Sequence, residues 1–362
     1  MQRIKETGDI FFAESDREWI QNGAAVRVSM VGFDDGSEDE RISDGVPVSQ
    51  INSDLTGSLD VTVAKKLDEN SGISFLGMMK SGPFDIDGET AGNMLSAPLN
   101  PNGRPNADVI KRRIGGQDVV RRPRDAWIID FGVDMLEDEA ALYEVPFEYV
   151  RQYVKPLRDK NRDENQKLKW WRYGRSRPAL RDATSNLRRC VVTPEVSKHR
   201  LFAWIDTEVI PDHKLHVFAR DDDYFFGVLH SRAHETWSLA QGNWLGKGND
   251  PSYSSSTTFE TFPLPWPPGE EPGGDPRVEA VAEAARRLDE LRRNWLDPEG
   301  ASEGELKKRT LTNLYNDRPT WLANAHAALD RAVFDAYGWP ENFTDEDVLK
   351  ELLALNLERS GG

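Results

Sequence analysis

His230 and His234 stand four residues apart in His230-Ser231-Arg232-Ala233-His234, a spacing that puts two imidazoles on one helix face and could hold a metal ion. The glutamate that a zinc hydrolase uses as general base follows the second histidine, as Glu235, instead of the first, and no third ligand is evident. The pair therefore reads as a polar or nucleic-acid-facing helix start, with a metal hydrolase using His230 and His234 as the remote alternative. Cys190, the single cysteine, lies in an apolar strand candidate and reads as a buried structural thiol. Asp221-Asp222-Asp223 offers three carboxylates, but consecutive residues of an extended loop cannot all face one Mg²⁺, so they read as a solvated turn. No Walker motif and no strand followed by Gly-x-Gly-x-x-Gly is present, which removes the familiar phosphate cradles.

The second source of chemistry is cationic. Residues 151–200 carry a net charge of +10, with Trp170, Trp171 and Tyr173 interleaved among Arg172, Arg175 and Arg177. Guanidinium groups bind phosphate bidentately and aromatic rings stack, so this composition suits a phosphate-contacting surface; a solvated helix face suits it equally. Lys198-His199-Arg200 is either a base- or phosphate-reading cluster or a surface turn before a strand. A turn-rich basic stretch precedes both, with Arg104 in the loop 100–106, then Arg112-Arg113, then Arg121-Arg122-Pro123-Arg124. The whole chain is acidic, with 62 Asp and Glu against 46 Lys and Arg and a formal charge of -16. That total does not exclude an anionic partner, because residues 101–200 sum to +7 while the flanks are negative.

Positioning these groups needs several elements. Ala24–Phe33 alternates as a strand after an Asn22-Gly23 turn, and Asp34–Asp44 reads as an exposed acidic loop. A helix is expected over Thr62–Asn70, a strand near Ile73–Met78, a buried strand over Ala126–Phe131, and a helix over Glu137–Lys155 broken at Pro146. Closely spaced strand candidates follow at Arg189–Thr193, His199–Ile205, Lys214–Ala219 and Tyr224–Leu229, and then a helix at His230–Ala240. Pro263 to Gly274 is rich in proline and glycine and marks a boundary near residue 270. Val278, Val281, Ala285, Leu288, Leu291 and Trp295 then form a helical stripe, a second covers Trp321–Tyr337, and Thr344 caps a last helix with Asp347.

At 362 residues and 38% hydrophobic content, two or three globular units are expected. One cysteine excludes a disulfide framework and fits a cytoplasmic setting. The polar start Met1-Gln2-Arg3-Ile4-Lys5-Glu6 is unlike a signal peptide, and no apolar run approaches the roughly 20 residues of a membrane span. No internal repeat is seen.

Specific strings go further. Asp9-Ile10-Phe11-Phe12-Ala13-Glu14-Ser15-Asp16-Arg17-Glu18-Trp19, Lys80-Ser81-Gly82-Pro83-Phe84, Asn100-Pro101-Asn102-Gly103-Arg104-Pro105-Asn106 and Trp127-Ile128-Ile129-Asp130-Phe131-Gly132 occur in that order. Val196-Ser197-Lys198-His199-Arg200, Phe226-Gly227-Val228-Leu229-His230-Ser231-Arg232-Ala233-His234-Glu235, Thr257 to Pro263 and Leu352 to Arg359 follow. Together they resemble the C-terminal half of bacterial MmeI-like, type IIG-related DNA methyltransferases, over nearly the whole chain. The resemblance implies an α+β fold with the end of a methyltransferase sheet at 1–45, a mixed target recognition domain at 46–268 and a C-terminal helical domain at 269–362.

Full-length members of that family transfer a methyl group from S-adenosylmethionine to a base, usually adenine N6, which requires the base to be flipped out. Two motifs carry the chemistry, a Phe-x-Gly-x-Gly turn and an Asn-Pro-Pro-aromatic loop, and neither occurs here; the one double proline is in Trp266-Pro267-Pro268-Gly269. The expected function is therefore DNA target recognition within a site-specific methyltransferase or restriction-modification enzyme, with no cofactor site or catalytic residue in this chain and no methyl transfer by it alone. A non-catalytic subunit that docks on a separate methyltransferase polypeptide is the alternative. The expected partner is double-stranded DNA, contacted by Arg104, Arg112, Arg113, Arg121, Arg122, Arg124, Arg172, Arg175, Arg177, Lys198, His199, Arg200, His230 and Arg232. Some of Arg104, Arg112, Arg121, Lys198, His199, Arg200 and Arg232 would reach base edges.

Overall fold

A computed structural model describes residues 1–21, 24–48, 50–53, 55, 59–242, 244–245 and 250–361. The Asn22-Gly23 turn lies outside the described residues. The chain divides into two compact units, one formed by Met1–Lys65 with Asn342–Gly362 and the other by Lys66–Glu341.

The smaller unit is built on a sheet of order β2-β1-β3-β4, with β1 at Asp9–Gln21, β2 at Ala24–Asp34, β3 at Arg41–Ser43 and β4 at Val46–Val48. The strand expected at 24–33 is β2, an edge strand antiparallel to β1. Part of the expected acidic loop instead forms β3, parallel to β1, because Arg41 reaches back to Asp9 with Nε and Nη2 at 2.9 and 2.7 Å. Ile10, Ala13, Ile51 and Leu55 form the core. The helix Asp345–Arg359 starts at the expected Thr344 cap, with Asp347 closing a capping box, and Asn356 bonds both the N–H and the carbonyl of Lys65.

In the larger unit the chain runs through β5 (Ser74–Leu76), β6 (Asp85–Asp87), β7 (Ile110–Ile114) and β8 (Ala126–Ile129). It continues with β9 (Arg189–Pro194), β10 (Ala203–Asp206), β11 (Ile210–Pro211) and β12 (Leu215–Phe218). These strands make two small sheets, β10-β9-β12-β5 and β11-β7-β8-β6. Helices Pro276–Leu296 and Thr320–Tyr337 follow, so the α+β class and the helical C-terminal region are as expected. The proline- and glycine-rich stretch 263–274 lies within this larger unit, with Pro263, Leu264 and Pro265 buried.

Three local expectations are corrected. Tyr224–Leu229 is not a strand but the body of the helix Asp223–His230, capped by the Asp222 carboxylate accepting from Phe225 N–H at 2.8 Å. A short apolar run buried on all sides carries no periodicity to separate the two states. Thr62–Asn70 is not one helix but two 3₁₀ turns, Val61–Val63 and Asp68–Asn70, because tertiary bonds pull the segment open. Leu67 N–H donates to Glu260 O, and the buried Asn70 amide donates to the carbonyls of Phe259 and Phe262. The break in Glu137–Lys155 falls at Leu142 and Tyr143, between helices Glu137–Ala141 and Glu144–Tyr153, and Pro146 sits harmlessly in the first turn of the second.

Gly227 shows why the buried helix packs so closely. A Cβ there would lie 2.9 Å from Val281 Cγ1, 3.0 Å from Ala285 Cβ and 3.2 Å from Leu329 Cδ1. Gly227→Leu is expected to lower stability by about 1–3 kcal/mol through overpacking. Gly92→Ala, in the helix Gly88–Leu95 where a Cβ meets nothing within 4 Å, should raise stability by up to about 1 kcal/mol. Urea unfolding of both variants checks the pair.

Candidate nucleic-acid interface

The cations of β7 and its flanks divide by strand parity, since successive side chains point to opposite faces. Arg113 turns inward, 17% exposed, and is held by Asp212 at 2.6 Å and Asp85 at 3.4 Å. Arg112 turns outward and lies over the Trp127 ring at 4.1 Å, across the β7–β8 pairing. Asp125 Oδ1 accepts from Arg112 Nη1 and from Trp127 Nε1, the latter at 2.9 Å.

Around them, Arg104 is exposed on a loop fixed by Asn100 and Asn106 and pairs with Asp108 at 2.5 Å. Arg121 is exposed and has no partner among the described residues. Arg122 is tied to Asp297 at 2.6 Å and to Leu296 O at 3.2 Å. Arg124 forms a fork on the buried Asp118 carboxylate at 2.8 and 2.9 Å. Burial pushes the Asp118 pKa up, but the bonds from Arg124 and the Gly115 N–H outweigh it and hold the group below its ordinary value.

A second group of cations lines a concavity of about 440 Å³ formed by residues 133–134, 165–166, 169 and 172–178. Arg172 belongs to its wall and not to its free surface, because its guanidinium donates to the carbonyls of Val133 and Met135. Lys169 and Arg175 are exposed and unpaired among the described residues. Arg177 adopts left-handed backbone, φ 53°, and uses only Nε, on Gly77 O at 3.2 Å. Its pKa is lowered by burial and then by the charge of Arg175, so two guanidiniums repel each other across the concavity. Asp134 is the one carboxylate in the lining.

The three rings expected to stack do not form a surface. Trp170, Trp171 and Tyr173 are buried core residues, and their polar atoms donate to Glu137 Oε1, Met135 O and Ile129 O. Sequence composition could not separate ring faces offered to a ligand from ring faces packed inside.

The Lys198-His199-Arg200 cluster also divides. Lys198 Nζ and the His199 ring both reach Asn316 Oδ1, at 2.6 and 2.9 Å, near the surface. Arg200, expected to contact DNA, is 7% exposed and holds Pro194 O, Thr193 Oγ1 and Pro251 O. Burial brings its pKa down to about 10. His230 is likewise an interior residue, 6% exposed, whose Nε2 accepts from Arg292 Nη1 at 2.7 Å and Phe202 N–H at 3.2 Å. His234 donates from Nδ1 to Leu229 O and accepts at Nε2 from Tyr253 OH. Both lone pairs that a metal would need are therefore taken, and no group of three metal-ligating residues occurs among the described residues. Arg232 keeps an intermediate exposure at the start of the helix Arg232–Gln241, its N–H on Asp330 at 2.7 Å.

The remaining candidates resolve simply. Burial pushes the Cys190 thiol up to about 12, as suits a structural residue. The aspartate run is not a solvated turn, because Asp222 caps the Asp223–His230 helix and Asp223 pairs with Arg189 at 2.8 Å. Lys169, Asp125 and Trp127 were missed as site residues; the first is one lysine of a basic run, and the other two act through a strand register that the sequence does not print.

The sequence profile described as "MmeI, target recognition domain" matches residues 63–266, more than half of the chain. The chain belongs to the MmeI target recognition domain family. Apart from Arg292, the cations of this interface lie within the matched segment. The MmeI-like chain is also similar to the solved structure of the type IIL restriction-modification enzyme MmeI in complex with DNA, at 20% identity and a TM-score of 0.75. That similarity covers 99% of this chain and 47% of the other, so the chain spans about half the length of the protein it matches. No curated protein matches. No described helix is long and apolar enough to cross a membrane.

The buried histidines set a pH limit on this architecture. Burial lowers the pKa of His216 to about 4 and of His234 and His326 to about 3, and places His230 well below its ordinary value. Each depressed histidine contributes stability that is full above about pH 6.5 and is lost as pH falls toward its folded pKa. Asp330, raised by burial to about 6, opposes this between roughly pH 4 and 6 but is one group against several. Thermal melting should therefore drop by the equivalent of several kcal/mol between pH 7 and about pH 5, at about 2 kcal/mol for each of His216, His234 and His326. A flat melting profile over that range would contradict the neutral assignments.

Proposed function

We propose that this chain is the DNA target-recognition part of a site-specific methyltransferase or restriction-modification enzyme. The observation that carries the reading is the concavity where Lys169, Arg175 and Arg177 stand together without enough carboxylate to neutralise them. Confined cations that repel one another are relieved by an anion, and phosphate on a duplex supplies evenly spaced anions. The solved MmeI structure, whose chain is about twice as long as the stretch matched here, is a DNA complex, which supports the same partner. Arg104, Arg112, Arg121, Arg124, Lys198, His199 and Arg232 would add phosphate or base contacts. Arg113, Arg122 and Arg172 would brace them, and Arg200 and His230 would act only through the core.

Methyl transfer would belong to another part of the full protein. The one double proline, Pro267-Pro268, follows Trp266, which packs 6.0 Å from Tyr224 and under Arg277 at 5.0 Å, so it lacks the preceding amide with which an Asn-Pro-Pro-aromatic loop holds a base amino group. We assign residues 1–45 to the end of a methyltransferase sheet, 46–268 to target recognition and 269–362 to a helical brace, in a cytoplasmic protein. The subunit reading is favoured by β2, an 11-residue edge strand with Met30 and Phe33 exposed, because an unpaired strand edge is a template for another chain. Both readings agree on what the larger unit does.

Binding of duplex DNA should weaken steeply with salt, and Lys169→Ala, Arg175→Ala and Arg177→Ala should each reduce the slope of log K against log salt by about 0.9, equally for all sequences. Absence of binding to any duplex from a random pool at low salt, even with a catalytic half added, would sink the proposal. Incubated alone with DNA and labelled S-adenosylmethionine, the chain should transfer no label.

A further inference from the structure

The geometry points to Arg112 as a guanine-reading side chain, held in a fixed orientation by Asp125 and Trp127 so that its free edge can meet the N7 and O6 acceptors of a guanine in the major groove. This rests on the DNA-recognition reading above and names one residue that would determine specificity.

An exposed arginine ordinarily samples many rotamers, and ordering it on a partner costs side-chain entropy. Arg112 has that cost reduced in advance. Its guanidinium lies over the Trp127 indole at 4.1 Å, which fixes the plane, and Asp125 Oδ1 takes Nη1, which fixes rotation within that plane. Asp125 is itself held by the Trp127 indole N–H at 2.9 Å. Nε and Nη2 have no partner among the described residues, and the side chain remains 55% exposed. A planar fork with one side anchored and the other open matches the paired acceptors of guanine, which a lone phosphate contact would not require.

The backbone is shaped to admit this arrangement. A Cβ on Gly88 would lie 1.9 Å from Asp125 Oδ2, so the carboxylate occupies room that only glycine leaves at the start of the Gly88–Leu95 helix. The neighbouring Arg113 is consumed by Asp85 and Asp212, and Arg124 spends its Nε and Nη2 edge on Asp118. Arg104 pairs with Asp108 but has no ring beneath it. Among these arginines Arg112 is the one combining a stacked plane, an anchored corner and an open edge.

The test is selection of binding sites from duplexes with a randomised centre, using the 362-residue chain, followed by affinity measurements on the selected site and on its single-base variants. The expected result is a selected motif with one guanine whose preference over other bases falls about tenfold or more in Arg112→Ala and Arg112→Lys, with preferences elsewhere in the motif retained. Gly88→Ala leaves Arg112 in place but evicts the Asp125 carboxylate, and should weaken the same guanine preference while thermal melting stays unchanged or rises. An unchanged motif in Arg112→Ala overturns the assignment. So does an equal loss for all sequences with a shallower salt dependence, the mark of a phosphate contact. If Arg112→Ala melts early, Gly88→Ala decides: a melting point like that of the parent with an undiminished guanine preference also overturns it. A parent chain that selects no motif would fail the DNA-recognition reading itself, an outcome distinct from a motif that ignores Arg112.

Discussion

The larger unit depends on a guanidinium buried among neutral acceptors. Arg292, 2% exposed, donates to His230 Nε2 and to the carbonyl of Phe202, and so ties the helix Pro276–Leu296 to the helix Asp223–His230 and to the chain entering β10. A buried charge is costly unless its donors are satisfied, and here an imidazole lone pair and a carbonyl take Nη1 and Nη2 while Nε stays buried without a partner. His230 must therefore stay unprotonated, because a proton on Nε2 would set two cations 2.7 Å apart. The same requirement removes His230 from any surface chemistry. It also explains why the following turn is occupied by structural bonds: His234 is anchored to Leu229 and Tyr253, and Arg232 starts its helix on Asp330.

How much of this was legible depends on the interaction concerned. Caps and stripes are local, and the terminal helix with Thr344 and Asp347 and the long helix carrying Val281, Ala285 and Leu288 could be read directly. Tyr224–Leu229 could not, since burial on every side erases the periodicity that distinguishes helix from strand. The candidate interface was legible as a region and not as a surface. Composition located the basic residues between Arg104 and Arg232, but whether a guanidinium faces solvent or a carbonyl is decided by contacts distant in sequence: Arg113 with Asp212, Arg122 with Asp297, Arg200 with Pro251. Specific strings carried the family, and the profile match over residues 63–266 agrees with them.

The formal charge of -16 acquires a different meaning once partners are assigned. Much of the basic middle is spent on holding the protein together, as with Arg158, 1% exposed and bonded to the carbonyls of Lys80 and Arg172, or Arg181 on the Asp130 carboxylate. What remains is a small set of cations without local counterions, set in a molecule that otherwise repels polyanions. Such a surface favours contact in one orientation, because long-range repulsion from acidic flanks penalises the others.

The alternation of Arg112 and Arg113 along β7 has a consequence for how this domain can change. The pairing of Arg112 with Trp127 and of Lys111 with Ile128 sets the frame of the strand, and the preceding loop is pinned by its own bonds, from the Asn100 amide to Arg104 O and from the Asn106 amide to Met94 O. A change of length between those anchors and the strand would have to leave both in place for the outward arginine to stay outward. One residue gained inside β7 would exchange the two roles, driving the exposed arginine toward Asp212 and bringing its neighbour to the surface without a ring or carboxylate to hold it. The strand is thus open to variation only in identity, and only at every second position.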